Sequence, residues 1–290
     1  MKILVVGGQG HIGSNLISKV SKENINNVAI TFKGDITDIN DIIANFVIAK
    51  SKDVDTVVHL GAIMSSPSCD AAQQYAFDVN VKGTFNVAKA TKENEMKFVY
   101  IASTSSYLPT SEIITENSEK TPFTLYGLTK DLGEQVAKFV FKDELLSLCL
   151  CHCYGKESDW YSIISNIVKN SYINRPTIVH INPRSLRSWL YIDDCVNAII
   201  ASIDKKLKGS YNISSHDYRQ FGEITNIVIK YGLRPIIYWR AENDYMANHR
   251  VDSSKFRDAT SWAEQISIEQ GVKELVDIYK NNLLKGGPNA

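Results

Sequence analysis

The stretch "KILVVGGQGHIGSNL", residues 2–16, decides the fold. Ile3 to Val6 are β-branched or Leu with no alternation, which is how a strand reads when both of its faces are covered. After the glycines, Ile12, Leu16, Ile17 and Val20 recur at helical spacing. Strand, glycine turn and helix in that order bring backbone N–H groups and the positive end of a helix to one point, where a pyrophosphate can lie. Gly7, Gly10 and Gly13 are spaced G-x-x-G-x-x-G, and Gly8, Gly10 and Gly13 also satisfy G-x-G-x-x-G. Both sets serve one need: without Cβ atoms the turn bends sharply, the backbone approaches the phosphates and the helix packs close on the strand.

Outward from this turn the same alternation continues. Strands are expected at "VAITF" (28–32), "TVVHL" (56–60), "KFVYIAS" (97–103) and "LSLCLCHCY" (146–154). Helices are expected between them at "DINDIIANFVIAK", "AFDVNVKGTFNVAKAT" and "TKDLGEQVAKFVFK". Such a chain builds right-handed crossovers and a doubly wound parallel sheet of the α/β class, here over residues 1–155. Beyond Gly155 the pattern is irregular: a helix near "YSIISNIVKN", an Arg/Pro-rich loop from Asn174 to Arg187, and the segment "SWLYIDDCVNAIIASI". Residues 156–186 and 205–290 are read as a smaller C-terminal substrate-binding lobe, with 187–204 returning to the first domain. In open α/β sheets ligands bind beyond the carboxyl ends of the strands, so that lobe is expected over that edge.

The chain has 290 residues, 32 Lys+Arg against 32 Asp+Glu, and so no basic field to track a phosphate backbone. Nucleic acid is not an expected partner. Its five cysteines are an odd count, and Ile3–Val6 is too short for a signal peptide or a membrane span. A cytoplasmic protein with no membrane partner is expected. The tail "LLKGGPNA" is expected to fray.

An acid about twenty residues after the glycine turn ordinarily binds the adenosine ribose. Here the second strand ends "TFKGD", with Lys33 near that position and Asp35 slightly late. Either Lys33 meets a 2′-phosphate, which favours NADP over NAD, or Asp35 belongs to the next loop and touches the adenine. The sequence leaves both open.

The chemistry is carried by "YIASTSSY" (100–107) and "LYGLTK" (125–130). Tyr126 and Lys130, four apart on a helix, share one face. An unperturbed tyrosine has a pKa near ~10 and becomes a base at neutral pH only where cations stabilise its phenolate. Lys130 and an oxidised nicotinamide supply them, and the Ser103 hydroxyl can hold the substrate oxygen that gains or loses the proton.

With these residues in place the chain resembles the extended short-chain dehydrogenases/reductases, within the nucleotide-sugar epimerase, dehydratase and reductase group. The resemblance covers nearly all 290 residues and rests on "GGQGHIG", "GDITD", "DTVVHLGA", "DVNVKGTFNV", "IASTSSY", "YGLTK", "RSWLYIDD" and "SYNIS". It implies a Rossmann-type fold and a nucleotide-sugar substrate. It places His11, Ile12 and Cys153 with the glycines at the cofactor, Asp35 and Ile36 at the adenine, Leu60, Gly61 and Ala62 along the cofactor, and Asn80 beside the active site. It makes Ser103, with Thr104 as its nearest substitute, the catalytic hydroxyl, and puts Arg187, joined by Arg240 or Arg250, on the nucleotide diphosphate. It also implies a homodimer packed through the Tyr/Lys helix and the preceding long helix, a surface that Phe139, Val140 and Phe141 suit, although the same residues equally suit the core.

Cys149 stands where the family has an Arg, and His152 where it has an Asn that holds the sugar or diphosphate. Cys149, Cys151 and Cys153 share one face of a strand while His152 points to the other, so they do not converge on a metal, and none is expected. Asp193 and Asp194 are read as caps of the helix that follows them. Thr104 and Ser105 follow Ser103 where the dehydratases place Asp-Glu, which ranks dehydration third. The leading expectation is a nucleotide-sugar epimerase acting at a sugar carbon, C4; the alternatives are an NADPH-dependent reductase of a keto-deoxy nucleotide sugar and a dinucleotide-binding redox sensor.

Overall fold

The computed structural model describes residues 1–156, 162–180, 182–240 and 248–284, without the side chains of 282–284. The tail beyond residue 284 lies outside the described residues. Two compact units form: Met1–Leu108 with Ser118–Leu150 and Val196–Asn212, and Pro109–Asn117 with Cys151–Cys195 and Ile213–Ala290.

The chain runs through β1 (Lys2–Val6), α1 (His11–Glu23), β2 (Val28–Thr31), α2 (Ile39–Ser51), β3 (Thr56–His59), α3 (Ser66–Ala71), α4 (Gln73–Phe77), α5 (Thr84–Glu93), β4 (Lys97–Ser103), α6 (Leu125–Phe141) and β5 (Leu146–Leu150). Then follow β6 (His152–Tyr154), α7 (Ile163–Tyr172), β7 (Pro176–Val179), β8 (Leu186–Tyr191), α8 (Ile192–Asp204), β9 (Gly209–Ile213), β10 (Tyr218–Gln220), α9 (Phe221–Lys230), β11 (Ile236–Trp239), α10 (Ser254–Thr260) and α11 (Ile268–Leu284). A six-stranded sheet in the order β2-β1-β3-β4-β5-β9 forms the first unit, and β1 to β5 pair in parallel. This is the expected Rossmann-type arrangement. The apolar runs read as buried strands are buried: Ile3, Leu4, Val5, Val57, Val58 and Tyr100 are wholly inaccessible.

Four local expectations are corrected. "LSLCLCHCY" is two strands: the chain leaves the large sheet after Leu150, the Cys151 N–H donates to the Ile213 carbonyl (3.1 Å), and β6 joins a second sheet of order β10-β8-β6. The loop 174–187 contains β7, which pairs in parallel with β11. The single helix expected over 76–91 is interrupted by a π-helical turn, Asp78–Gly83. Asp194 does not cap α8; its carboxylate accepts from the Gln265 and Ile266 N–H groups (3.0 and 2.9 Å), 71 and 72 residues away, while Asp193 pairs with Lys156 (3.1 Å). Of the residues that suit either a dimer face or the core, Phe141 stacks on Phe98 at 5.2 Å in the core, whereas Phe139 is 77% exposed.

Glycines set how closely α6 lies on the sheet. A Cβ on Gly133 would stand 2.5 Å from the Tyr100 hydroxyl and 2.7 Å from the Asn80 carbonyl, closer than real contacts allow. Gly133→Ala is therefore expected to cost about 1–3 kcal/mol through overpacking, measured as a lowered denaturation midpoint with an unchanged slope.

Candidate active site

The glycine turn forms the cradle the sequence implies. Gly7 has a φ of 83°, and a Cβ there would lie 2.8 Å from the Gly61 nitrogen, so the loops after β1 and β3 touch backbone to backbone. At Gly13 the Cβ would lie 2.3 Å from the Gly7 carbonyl oxygen, which is what seats α1 on the turn. The Gly10 N–H donates to the Gly7 carbonyl (3.0 Å), and a Cβ at Gly10 would meet only that oxygen, at 3.3 Å. No side chain caps α1, and its first turn carries no acid. An uncapped helix N-terminus without negative charge fits the pyrophosphate of a dinucleotide. His11 is buried, with its carbonyl accepting from Ser14 and Asn15, and Ile12 is half-buried beside it.

At the end of β2 the backbone of Lys33 is gripped by Asn45: Lys33 N–H donates to Asn45 Oδ1 (2.8 Å) and Asn45 Nδ2 donates to the Lys33 carbonyl (2.7 Å). The Lys33 side chain is left exposed. Asp35 is also exposed; its carboxylate accepts from the Thr37 N–H (2.8 Å) and its own N–H donates to Asp41 (2.7 Å). Ile36 is buried against Gly83, whose Cβ would approach it to 2.6 Å. Leu60, Gly61 and Ala62 are half-buried, with the Leu60 N–H donating to the Val6 carbonyl (2.8 Å).

Asn80, in the π turn, is a brace. It accepts from the Ile63 N–H (2.7 Å) and donates to the Ile63 carbonyl (3.1 Å) and to Thr129 Oγ1 (2.9 Å), tying the loop after β3 to α6. Thr129 in turn donates to the Tyr126 carbonyl (3.0 Å), so the brace ends at the residue expected to act on the substrate.

Ser103 closes β4, and its Oγ accepts from the Ser105 N–H (3.2 Å); Thr104 is buried directly behind it. Thr124 caps α6 by accepting from the Gly127 N–H (3.0 Å). A Cβ on Gly127 would fall 2.2 Å from the Ser105 carbonyl, so the residue after Tyr126 must be Gly for the first turn of α6 to lie on the hydroxyl-bearing turn. The sequence holds the signal, since the Gly follows the Tyr directly, but only the packing gives the reason.

Tyr126 is half-buried, whereas Lys130 is buried, with Nζ 4.4 Å from the centroid of the Tyr100 ring. A desolvated cation over an aromatic face gains about 2 kcal/mol. Burial pushes the Lys130 ammonium down to about 8, opposed by Glu134 and by the Cys149 sulfur. His59 lies fully buried beneath; Thr84 Oγ1 donates to the Asn80 carbonyl (2.7 Å), so His59 Nε2 donates to Thr84 Oγ1 (2.9 Å). Burial and then the Lys130 charge push His59 down to about 3, and it is a neutral structural residue.

In the second unit, Arg187 and His152 lie together: Arg187 Nη1 is 3.4 Å from His152 Nε2, and the His249 ring is 5.9 Å from that of His152. Burial, Arg187 and His249 hold His152 well below its ordinary range, and burial brings Arg187 down to about 10. The Cys153 thiol donates to the Cys151 carbonyl (3.6 Å). Arg240 is exposed, with its N–H on the Val179 carbonyl (2.8 Å), and Arg250 donates to the Ser111 carbonyl. No helix among the described residues is long and apolar enough to cross a membrane.

Comparisons with known proteins agree with this fold. A family model described as the NAD dependent epimerase/dehydratase family matches residues 3–214. The putative UDP-glucose 4-epimerase of Methanocaldococcus jannaschii is 26% identical over 97% of this chain and 99% of its own length. A dTDP-glucose 4,6-dehydratase of Mycobacterium tuberculosis is 22% identical over 97% and 94%. Among solved structures, the UDP-glucuronic acid 4-epimerase of Bacillus cereus in complex with UDP-glucuronic acid and NAD superposes with a TM-score of 0.83 at 22% identity, covering 97% of this chain and 99% of that one. Since the family model runs from the first strand through the last strand of the large sheet, the chain belongs to the NAD dependent epimerase/dehydratase family.

Proposed function

We propose that this member of the family is a nucleotide-sugar epimerase using NAD, which removes and returns a hydride at C4 of the sugar with Tyr126 as acid and base. The observation that carries the reading is a buried ammonium, Lys130, one helical turn from Tyr126, on a helix that Gly127 allows to lie against the turn bearing Ser103. Bound NAD supplies the hydride acceptor and donor. Tyr126, as phenolate, takes the proton of the sugar hydroxyl and, as phenol, gives it back to the same oxygen once the keto sugar has turned its other face to the cofactor. Lys130 stabilises the phenolate without a hydration shell of its own, which strengthens their attraction. The Ser103 hydroxyl orients the sugar oxygen, with Thr104 behind it.

Gly7, Gly10, His11, Ile12 and Gly13 would hold the pyrophosphate, Asp35 and Ile36 the adenine, and Leu60, Gly61 and Ala62 the middle of the cofactor, with Asn80 bracing them. Arg187 and His152 are the proposed substrate-binding donors, with Arg240 and Cys153 the weaker candidates. The absence of an acid pair after Ser103 favours epimerisation over the dehydration named for the M. tuberculosis relative. A homodimer is proposed through α5 and α6, where Phe85, Leu128 and Phe139 are exposed. The exposed Lys33 at the end of β2 supports the second reading, an NADPH-dependent reductase of a keto-deoxy nucleotide sugar.

The purified protein with UDP-glucose and NAD is expected to form UDP-galactose, followed by proton NMR; NADPH consumption with a keto-deoxy nucleotide sugar, and no epimerisation, would establish the second reading instead. Tyr126→Phe is expected to keep the fold and the cofactor but lose about 10²–10⁴ in kcat, as removal of a general base does; wild-type turnover would remove Tyr126 from the mechanism. Lys33→Asp is expected to weaken NADP selectively, and an equal loss for both dinucleotides would show that Lys33 does not read the ribose. The depressed Lys130 also has a signed effect on stability. Between about pH 8 and the ordinary lysine value of 10.5 the unfolded chain holds a proton that the native one has shed, so this group's contribution to stability rises with pH across that window. Comparison of wild type with Lys130→Met by chemical denaturation isolates it.

A further inference from the structure

One charged cluster of the first unit has no part in the scheme above. Glu134 sits on α6 one turn beyond Lys130 and is buried. Its Oε1 accepts from Ser147 Oγ on β5 (2.9 Å) and from Ser210 Oγ on β9 (3.4 Å), and its Oε2 forms an ion pair with Lys120. Lys120, on the loop that leads into α6, also lies 3.7 Å from Asp131 and 5.7 Å from the centroid of the Tyr107 ring. Burial disfavours the Lys120 charge, but Glu134 overrides it and the ammonium is held above its ordinary range. No local sequence pattern announces this lysine.

The position of Glu134 poses a problem that Lys120 solves. A carboxylate four residues after a lysine on one helix face lies within its reach, in the weaker of the two orders but with burial to strengthen the attraction. Were Glu134 to take Lys130, it would draw the ammonium down the helix and cancel the charge that Tyr126 requires. Among the described residues, Glu134 on α6, Cys149 on β5, His59 on β3 and the Tyr100 ring on β4 interact with Lys130, and Tyr126 and Asp131 on α6 interact with that same Tyr100. His59 is neutral, the Tyr100 hydroxyl donates to the Lys130 carbonyl (2.9 Å), and no other cation appears in this set. The charge of Glu134 is the one that decides.

We propose that Lys120 is a positioning residue for the Tyr126/Lys130 pair: by neutralising Glu134 and holding it toward β5 and β9, it leaves the Lys130 ammonium to act on the tyrosine. The inference rests on the acid/base reading of Tyr126. Cys149 marks a second route to the same end, because it shares with Ser147 the face of β5 that meets α6, two residues along the strand. A cation grown from position 149 reaches the same carboxylate.

The test is a phenolate titration of the NAD-loaded protein by near-ultraviolet absorbance, with the Tyr126→Phe protein subtracted so that residue 126 alone is read; no sugar substrate is needed. Lys120→Met is expected to raise the apparent pKa of Tyr126 by about 0.5–1 unit, on the scale of one buried charge. It should lower kcat at neutral pH by roughly three- to tenfold with KM little changed, the scale of that shift. Lys120→Arg, and Cys149→Arg in the Lys120→Met background, should restore both. Should Lys120→Met fail to fold, Lys120→Met with Glu134→Gln removes both charges together and must titrate as wild type. A Tyr126 depressed in wild type and unmoved in Lys120→Met, or shifted in the double variant, overturns the role of Lys120 while leaving the acid/base reading intact. A Tyr126 that titrates near ~10 in wild type overturns both.

Discussion

A positive charge kept out of water is the constraint on which this site depends. Lys130 has exchanged its hydration shell for the face of the Tyr100 ring and the interior of the first unit, and burial weakens its hold on the proton. On the proposed reading the fold holds the ammonium where its charge is most effective, because an interior cation would act on a neighbouring phenol across a poorly screening medium. The cost is visible in the number of residues that serve it. His59 is neutral below it, Asn80 and Thr129 fix the helix that carries it, and the Tyr100 hydroxyl binds its carbonyl.

Close approach of backbones is the means by which the fold meets that constraint. Gly7 against Gly61, Gly13 against Gly7, Gly127 against Ser105 and Gly133 against Tyr100 are contacts in which a single methyl group would displace an element. The first two bring the loop after β3 and the start of α1 onto the glycine turn, and the second two bring α6 onto the end of β4. Glycine is thus used here less for unusual dihedral angles than for thinness; of these residues only Gly7 has a positive φ.

Much of this was legible in the sequence, and the parts that were not share a cause. The strands of the large sheet show as unbroken apolar runs, and Gly7, Gly10, Gly13, Tyr126 and Lys130 stand at spacings whose chemistry is local. The break at Cys151 has no Gly or Pro to mark it, because the chain passes from one sheet to another still extended. β7 hides behind Pro176 and the arginines around it, tolerated because the strand pairs on one side only, with β11. Asp194 looks like a helix cap and instead serves backbone groups more than seventy residues away. Lys120 and Gly133 derive their meaning from tertiary neighbours, which a one-dimensional reading does not supply.

The π turn at Asp78–Gly83 has a consequence for how the chain can change. A π turn is an α-helix carrying one additional residue, so everything after it is rotated by about 100° relative to an uninterrupted helix. Asn80 faces the loop after β3 and α6 at once because of that offset, and Thr84 meets His59 on its far side. Loss of a single residue between Ala76 and Gly83 would yield a more regular helix and turn these side chains away from their partners together. Here regularity and packing are opposed, and the irregular turn couples His59 to the loop after β3.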